Sequence, residues 1–309
     1  MTGTTRISLG ASVAAVALGV AGVASAAAPS PGTAAQVKAL VAAAPGISKL
    51  AANLTPKLAD AAKDSPFSRA PGLYSCVTGG TTLPACVFGD TAAKRTIVLY
   101  GDSHAYMWFP ALDAIAKARR YRLVALLSFG CPVADISIAK VIGTGPNTVC
   151  PGFRRNMIAR IDAARPALVV MSEEFYAESA TGSANTPAQW TTALESTFSQ
   201  LHSATTHVAL IGNVVTVPGP LDCLAAHPTS VQSCSRPASG PVQAAQRASE
   251  KAAAAASKVR YVDEIPWTCS SVCTAIVGNM IVYGSAGHLT ATYDTYLTRV
   301  LATVLAPNL

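Results

Sequence analysis

Charge is scarce in this chain. Only 13% of its 309 residues are Asp, Glu, Lys or Arg, and aromatic residues make up 6%. Half the residues are hydrophobic, which excludes a disordered chain and leaves enough apolar material for a sizeable core. The basic residues are dispersed and carry no interleaved aromatics, so nucleic acid is not expected as a partner. No internal repeat is visible, which argues against a solenoid or propeller. No CxxC pair occurs and the histidines do not gather near the cysteines, so no metal site or other cofactor is expected. After residue 26, no apolar run reaches the length of a membrane span.

The long apolar run that does exist is at the start. Arg6 precedes an apolar and small-residue stretch from 7 to 23, followed by Ala24-Ser25-Ala26. This is the layout of a secretory signal peptide ending at a small-x-small site, and residues 1–26 are set aside from fold reasoning. No cysteine follows the cleavage region to carry a lipid anchor. The eight cysteines suit export. They fall as neighbours in sequence, Cys76 with Cys86, Cys131 with Cys150, Cys223 with Cys234 and Cys269 with Cys273. Nearest-neighbour pairing is the simplest of on the order of a hundred connectivities. The formal charge of +7, one less without Arg6, gives a mildly basic exported protein drawn to anionic envelope polymers. Arg154, Arg155, Arg160 and Arg165 cluster on an expected helix and read as a solvated face.

Residues 27–75 read as a flexible lead followed by one or two Ala-rich packing helices and a linker. From residue 76 to 309 the pattern becomes one domain of alternating elements. Apolar, β-branched runs at 96–100, 121–128, 167–172, 208–212 and 259–262 read as buried strands. Helical periodicity appears at 106–119, 153–164, 187–203, 242–257 and 291–305. Strands with no polar face, separated by helices, predict an α/β fold: a three-layer α/β/α sandwich on a mostly parallel sheet, with disulfide-stapled loops. Its active site belongs at the carboxyl ends of the strands.

The first strong strand ends there in Gly101-Asp102-Ser103-His104. A serine on a tight strand-to-helix turn exposes its hydroxyl beside free backbone N–H groups, so Ser103 is the candidate nucleophile. His288, in Gly287-His288-Leu289-Thr290 before the last helix, is the candidate base. The N–H groups of Ser103 and Gly130, each following a neighbouring strand, are candidate oxyanion donors. Asp102 and His104 read as turn support. His202, His207 and His227 show no partner spacing.

IVLYGDSHA at 97–105, with Cys131-Pro132, Trp267-x-Cys269-x-x-x-Cys273, Gly278-Asn279 and the 283–290 segment, resembles the SGNH-hydrolase domain appended to bacterial acyltransferase-3 membrane proteins. The resemblance covers residues 76–305 and implies an SGNH, flavodoxin-like fold. It implies a serine-dependent esterase or O-acyltransferase acting on acylated envelope carbohydrate, with Ser103 and His288 as catalytic pair and Gly130 in the oxyanion hole. A membrane module usually precedes such a domain. Here a leader-like segment does, so the domain is expected to work alone or with a separate membrane acyltransferase, secreted or associated with the envelope.

Two departures stand out. The family carries Asp three residues before the histidine, and here that residue is Ser285. Without a carboxylate the imidazole needs another orienting group. Ser285 or a backbone carbonyl is one choice. Asp263, Glu173 and Glu174 are the others, although these read first as surface or turn-capping acids. Simple SGNH enzymes also place Gly-x-Asn-Asp after the third strand, where this chain has Ser172-Glu173-Glu174-Phe175. Asn213 after the fourth strand reads as a turn residue. A degenerate domain that binds glycan or a partner protein is the alternative reading.

Overall fold

A computed structural model of the chain describes Met1 and residues 29–309, apart from 142, 143, 177, 178, 203–206 and 239. Apart from Met1, the expected signal peptide lies outside the described residues.

Seven strands form the central sheet: β1 (Val77–Thr78), β2 (Val87–Gly89), β3 (Thr96–Gly101), β4 (Arg122–Ser128), β5 (Leu168–Ser172), β6 (Val208–Ile211) and β7 (Arg260–Val262). Their order is β1-β4-β3-β5-β6-β7, with β2 also on β4. Every pairing is parallel except β2 with β4. β1 and β2 share the outer edge of β4, one along each half. Sequence pattern does not reveal them because two- and three-residue strands show no periodicity.

Strand side chains alternate between two cores. Ile97, Leu99, Leu168, Val170, Ala209 and Ile211 join one apolar layer. Val98, Tyr100, Val169, Met171, Val208 and Leu210 join the other. Helices Phe109–Arg119 and Ala291–Leu305 cover the first face. Helices Cys150–Ala164, Pro187–Leu201 and Pro241–Ala256 cover the second. Both faces are therefore dry, as a parallel sheet requires, and the chain is a three-layer α/β/α sandwich.

The amino-terminal segment joins this body. Helix Ala34–Ala43 starts with a capping box from Thr33 and Gln36 and buries Val37 and Val41 in the first core. The four disulfides are Cys76–Cys86, Cys131–Cys150, Cys223–Cys234 and Cys269–Cys273.

Two expectations change. The helix expected over 106–119 is two pieces, Ser103–Tyr106 and Phe109–Arg119. Pro110 sits in the first turn of the second piece, where a missing N–H costs nothing, and so marks a helix start. The arginine cluster is a solvated face only in part: Arg155 and Arg165 are exposed, but Arg154 and Arg160 are not. Arg154 is buried, with its guanidinium on Asp135 and on the Ile136 carbonyl, and Arg160 donates to the Leu83 carbonyl. The guanidinium fork finds backbone acceptors on the loops beneath the helix.

Candidate active site

β3 ends in Gly101, whose φ of 149° suits glycine, and a Cβ there would collide with the Ser172 carbonyl of β5. This close approach fixes the turn that follows. Asp102 is the N-cap of the one-turn helix Ser103–Tyr106, and its Oδ1 accepts the His104 N–H at 2.8 Å. Its Oδ2 accepts the Glu174 N–H at 2.9 Å and the Tyr176 hydroxyl at 3.1 Å. One buried carboxylate thus ties the end of β3 to the loop after β5. Burial pushes the Asp102 carboxyl up to about 6, against the lowering effect of His104 and the two backbone donors.

Ser103 opens this helix and faces a cavity of about 350 Å³. Gly130, in the turn after β4, lines the same cavity and has a φ of 73°. His288 reaches it from near the other end of the chain. The hairpin of strands Tyr283–Ser285 and His288–Leu289 holds the ring, and both Ser285 and His288 line the cavity. Residues about 185 positions apart in sequence are thereby brought to one hollow at the carboxyl end of the sheet, where a parallel α/β sheet places its ligands.

The His288 Nδ1 lies 3.0 Å from the Ala286 carbonyl and 3.2 Å from Ser285 Oγ. A carbonyl only accepts, so this geometry assigns the ring proton to Nδ1 and leaves Nε2 with its lone pair. Burial pushes the His288 imidazole down to about 4, helped by the charge of His104 and opposed by the Ala286 carbonyl and Glu174. The ring is neutral at neutral pH. Among the described residues, no direct hydrogen bond joins Ser103 Oγ to His288. Such contacts often close only in the substrate complex.

The carboxylates weighed as stand-ins for the missing acid separate clearly. Asp263 is not at the site: its Oδ2 pairs with Lys251 at 2.8 Å, on an exposed edge away from His288. Glu173 is fully buried in the second layer, accepting the Ala134 N–H and the Trp190 indole N–H, each at 2.8 Å. Glu174 is no surface acid, and beyond its local bond from the Phe175 N–H to Oε1 at 3.1 Å it reaches into the site. Its Oε2 lies 2.6 Å from His104 Nε2, and the His104 ring packs on His288 with centroids 4.6 Å apart.

Burial opposes a charge on His104, but the hydrogen bond and charge of Glu174 outweigh it and hold the ring above its usual value. Burial likewise opposes the Glu174 carboxylate, and His104 outweighs it in turn, keeping that carboxyl below its usual range. The pair is ionised on balance. Asn213 is not a plain turn residue either. It is buried, and its amide donates to Glu174 Oε1 at 3.3 Å and to Gln246 Oε1 at 3.2 Å, while Gln246 donates to Glu250. This polar chain behind the histidines is invisible to spacing. Its one sequence signal is the acid doublet 173–174 at the carboxyl end of a fully apolar strand.

Among the described residues, no group of three or more His, Cys, Asp or Glu side chains is arranged to hold a metal, and no helix is long and apolar enough to cross a membrane.

Comparison with known proteins bears on this fold. The chain is similar to the periplasmic domain of the lipopolysaccharide acetyltransferase of Salmonella ser. Paratyphi A at 14% identity and a TM-score of 0.59, over 82% of this chain and 98% of that one. TesA gives 20% identity and a TM-score of 0.43 over 70% of this chain and 100% of its own. A carbohydrate esterase family 2 enzyme with a carbohydrate-binding domain, from Corynascus thermopiles (Myceliophthora fergusii), gives 17% and 0.45, over 74% and 68%. A search of curated proteins gives no match. The family described as SGNH domain (fused to AT3 domains) matches residues 75–303. That stretch takes in the whole central sheet, the cavity residues Ser103, Gly130 and His288 and most of the last helix, and the chain belongs to this SGNH family.

Proposed function

We propose that this protein is an exported, serine-dependent acyl-ester hydrolase or O-acyltransferase acting on acyl esters of cell-envelope glycans, with Ser103 as nucleophile and His288 as base. The observation that carries the reading is the convergence of Ser103, Gly130 and His288 on one cavity, with Nε2 of His288 left as an acceptor.

In this reading Ser103 Oγ attacks the ester carbonyl while its proton passes to His288 Nε2. The oxyanion is met by the N–H groups of Ser103 and Gly130. Collapse of the tetrahedral intermediate breaks the C–O bond, and His288 returns the proton to the departing alkoxide. A water or an acceptor hydroxyl then repeats the sequence and frees Ser103. The Ala286 carbonyl and Ser285 hydroxyl orient the ring in place of a carboxylate. They stabilise the imidazolium less than an anion would, so the pair is a slow catalyst beside a full triad.

Export is supported by the four disulfides and the leader-like first 26 residues. A glycan substrate and a separate membrane acyltransferase as partner are supported by the family's fusion to AT3 domains and by the lipopolysaccharide acetyltransferase of similar fold.

The test is hydrolysis of short nitrophenyl esters, together with labelling by a fluorophosphonate read by intact mass. Ser103→Ala is expected to lose the label and at least about a thousandfold in turnover. Equal turnover by both proteins sinks the nucleophile. The second reading, a glycan-binding SGNH domain without catalysis, rests on Ser285 standing where the family has Asp. It requires that the wild type take no label while still binding glycan.

A further inference from the structure

We propose that the cavity over Ser103 is an acyl-chain pocket that selects linear acyl groups longer than acetyl, of about four to eight carbons. It takes its orientation from the nucleophile reading above.

The walls carry the argument. Pro66, Tyr106, Met107, Phe129 and Leu289 present carbon to the hollow beside Ser103. No Lys or Arg lines it among the described residues, and its one carboxylate, Asp64, is already engaged by Arg69 and by the Thr292 N–H at 2.8 Å. Its polar side chains are mostly taken: Ser103, Ser285 and His288 belong to the nucleophile end, and the Tyr176 hydroxyl donates to Asp102. An uncharged hydrocarbon is the occupant such a surface favours, because burial of apolar area is its main source of affinity. At about 30 Å³ per water-sized group, the 350 Å³ cavity admits about a dozen non-hydrogen atoms. That is far more than acetyl needs.

The alcohol half of the ester has its own place. A second hollow of about 360 Å³ shares Phe129, Gly130 and Val141 with the first and is lined by Lys140, Asn147 and Thr148. An ester carbonyl held at Gly130 would have its acyl chain on the apolar side and its polar alcohol on the side of Lys140.

Part of the wall lies outside the residues that match the family. Ala61, Ala62 and Pro66 precede residue 75. They are held in place by the Asp64 carbonyl, which accepts the Ala291 N–H at 2.8 Å, and by the Phe67 N–H, which donates to the Tyr106 hydroxyl at 3.3 Å. The pocket is therefore preformed, and its selectivity belongs to this chain's own amino-terminal segment.

Two measurements test the proposal. In the first, hexanoate and acetate are titrated calorimetrically into Ser103→Ala, which keeps the cavity without the hydroxyl. Hexanoate is expected to bind at least tenfold more tightly, at roughly fourfold per buried methylene, and Ala62→Trp in the same background should erase the difference. In the second, kcat/KM for nitrophenyl hexanoate is expected to exceed that for the acetate at least tenfold in the wild type, with Ala62→Trp reversing the order. Equal binding of the two acids overturns the acyl pocket whatever the activity. Selective binding of hexanoate with no turnover of either ester upholds the pocket and overturns the nucleophile reading instead.

Discussion

Glu174 Oε2 stands 2.6 Å from His104 Nε2, and the histidine ring is almost completely buried. His104 is raised and Glu174 lowered from their ordinary values, each chiefly by the other against the penalty of burial. The raised histidine contributes stability below its ordinary value of 6.5, which is lost as pH climbs through the higher folded value. The lowered acid contributes above its ordinary value of 4.5, which is lost as pH falls through the lower folded one. The pair therefore stabilises the fold most between about pH 4.5 and 6.5. Glu174→Gln should cost about 2 kcal/mol in that window, less than a fully enclosed pair because Glu174 keeps some solvent contact. Thermal melts across pH check this, and a Tm difference that grows above pH 8 would contradict it.

His288 is held at about 4 by burial first and by the His104 charge second. A base that stays neutral down to that pH gives an acid limb of kcat/KM near pH 4 rather than near 6.5. Turnover of a nitrophenyl ester should therefore change less than threefold between pH 5.5 and 7. Replacing His104 by Gln removes the second cause and should move the limb upward. An unshifted limb in His104→Gln would show that the ring contact of 4.6 Å carries no charge effect.

The sandwich was readable because β3, β5 and β6 are buried on both faces, so composition alone marks them as parallel core strands. Ser103, Gly130 and His288 were singled out by position, since each follows a strand end or precedes a helix, and Ser285 by the resemblance; all four line the cavity. The His104–Glu174 pair was not. Its partners come from different strand ends, and whether a given acid meets a histidine depends on how the sheet twists, which spacing does not encode. The cavity wall at 61–66 escaped for the same reason. Asp64 closes it through contacts to residues 291 and 292, more than two hundred positions away.

Ser285 Oγ already lies 3.2 Å from His288 Nδ1, so Ser285→Asp puts a carboxylate beside that nitrogen with little rebuilding. The anion should stabilise the imidazolium, raise its pKa and move the acid limb of the rate profile upward. The Ala286 carbonyl already occupies Nδ1 at 3.0 Å, so the gain is bounded, and about tenfold in kcat/KM at pH 7 is expected. Ser285→Ala should lose less than about fivefold, because that carbonyl remains. A variant Ser285→Asp with unchanged rate and unchanged pH profile would mean that ring orientation does not limit the reaction.

The Cys131–Cys150 disulfide adjoins Gly130 and closes a loop of 19 residues. Asn147 reinforces the same turn, donating to the Gly130 carbonyl at 3.3 Å while its Oδ1 accepts the Val149 and Cys150 N–H groups at the start of the following helix. Replacing both cysteines by Ala should lower stability by about 3 kcal/mol through the freed loop. It should also lower kcat about tenfold, because the Gly130 N–H is no longer held for the oxyanion. The Cys269–Cys273 pair, which packs with Val215 in an apolar cluster that shares no residue with the cavity wall, is the control. Its removal should leave kcat unchanged at a temperature where both proteins are folded. Equal kcat losses for the two double variants would trace the effect to stability and take Gly130 out of the oxyanion hole.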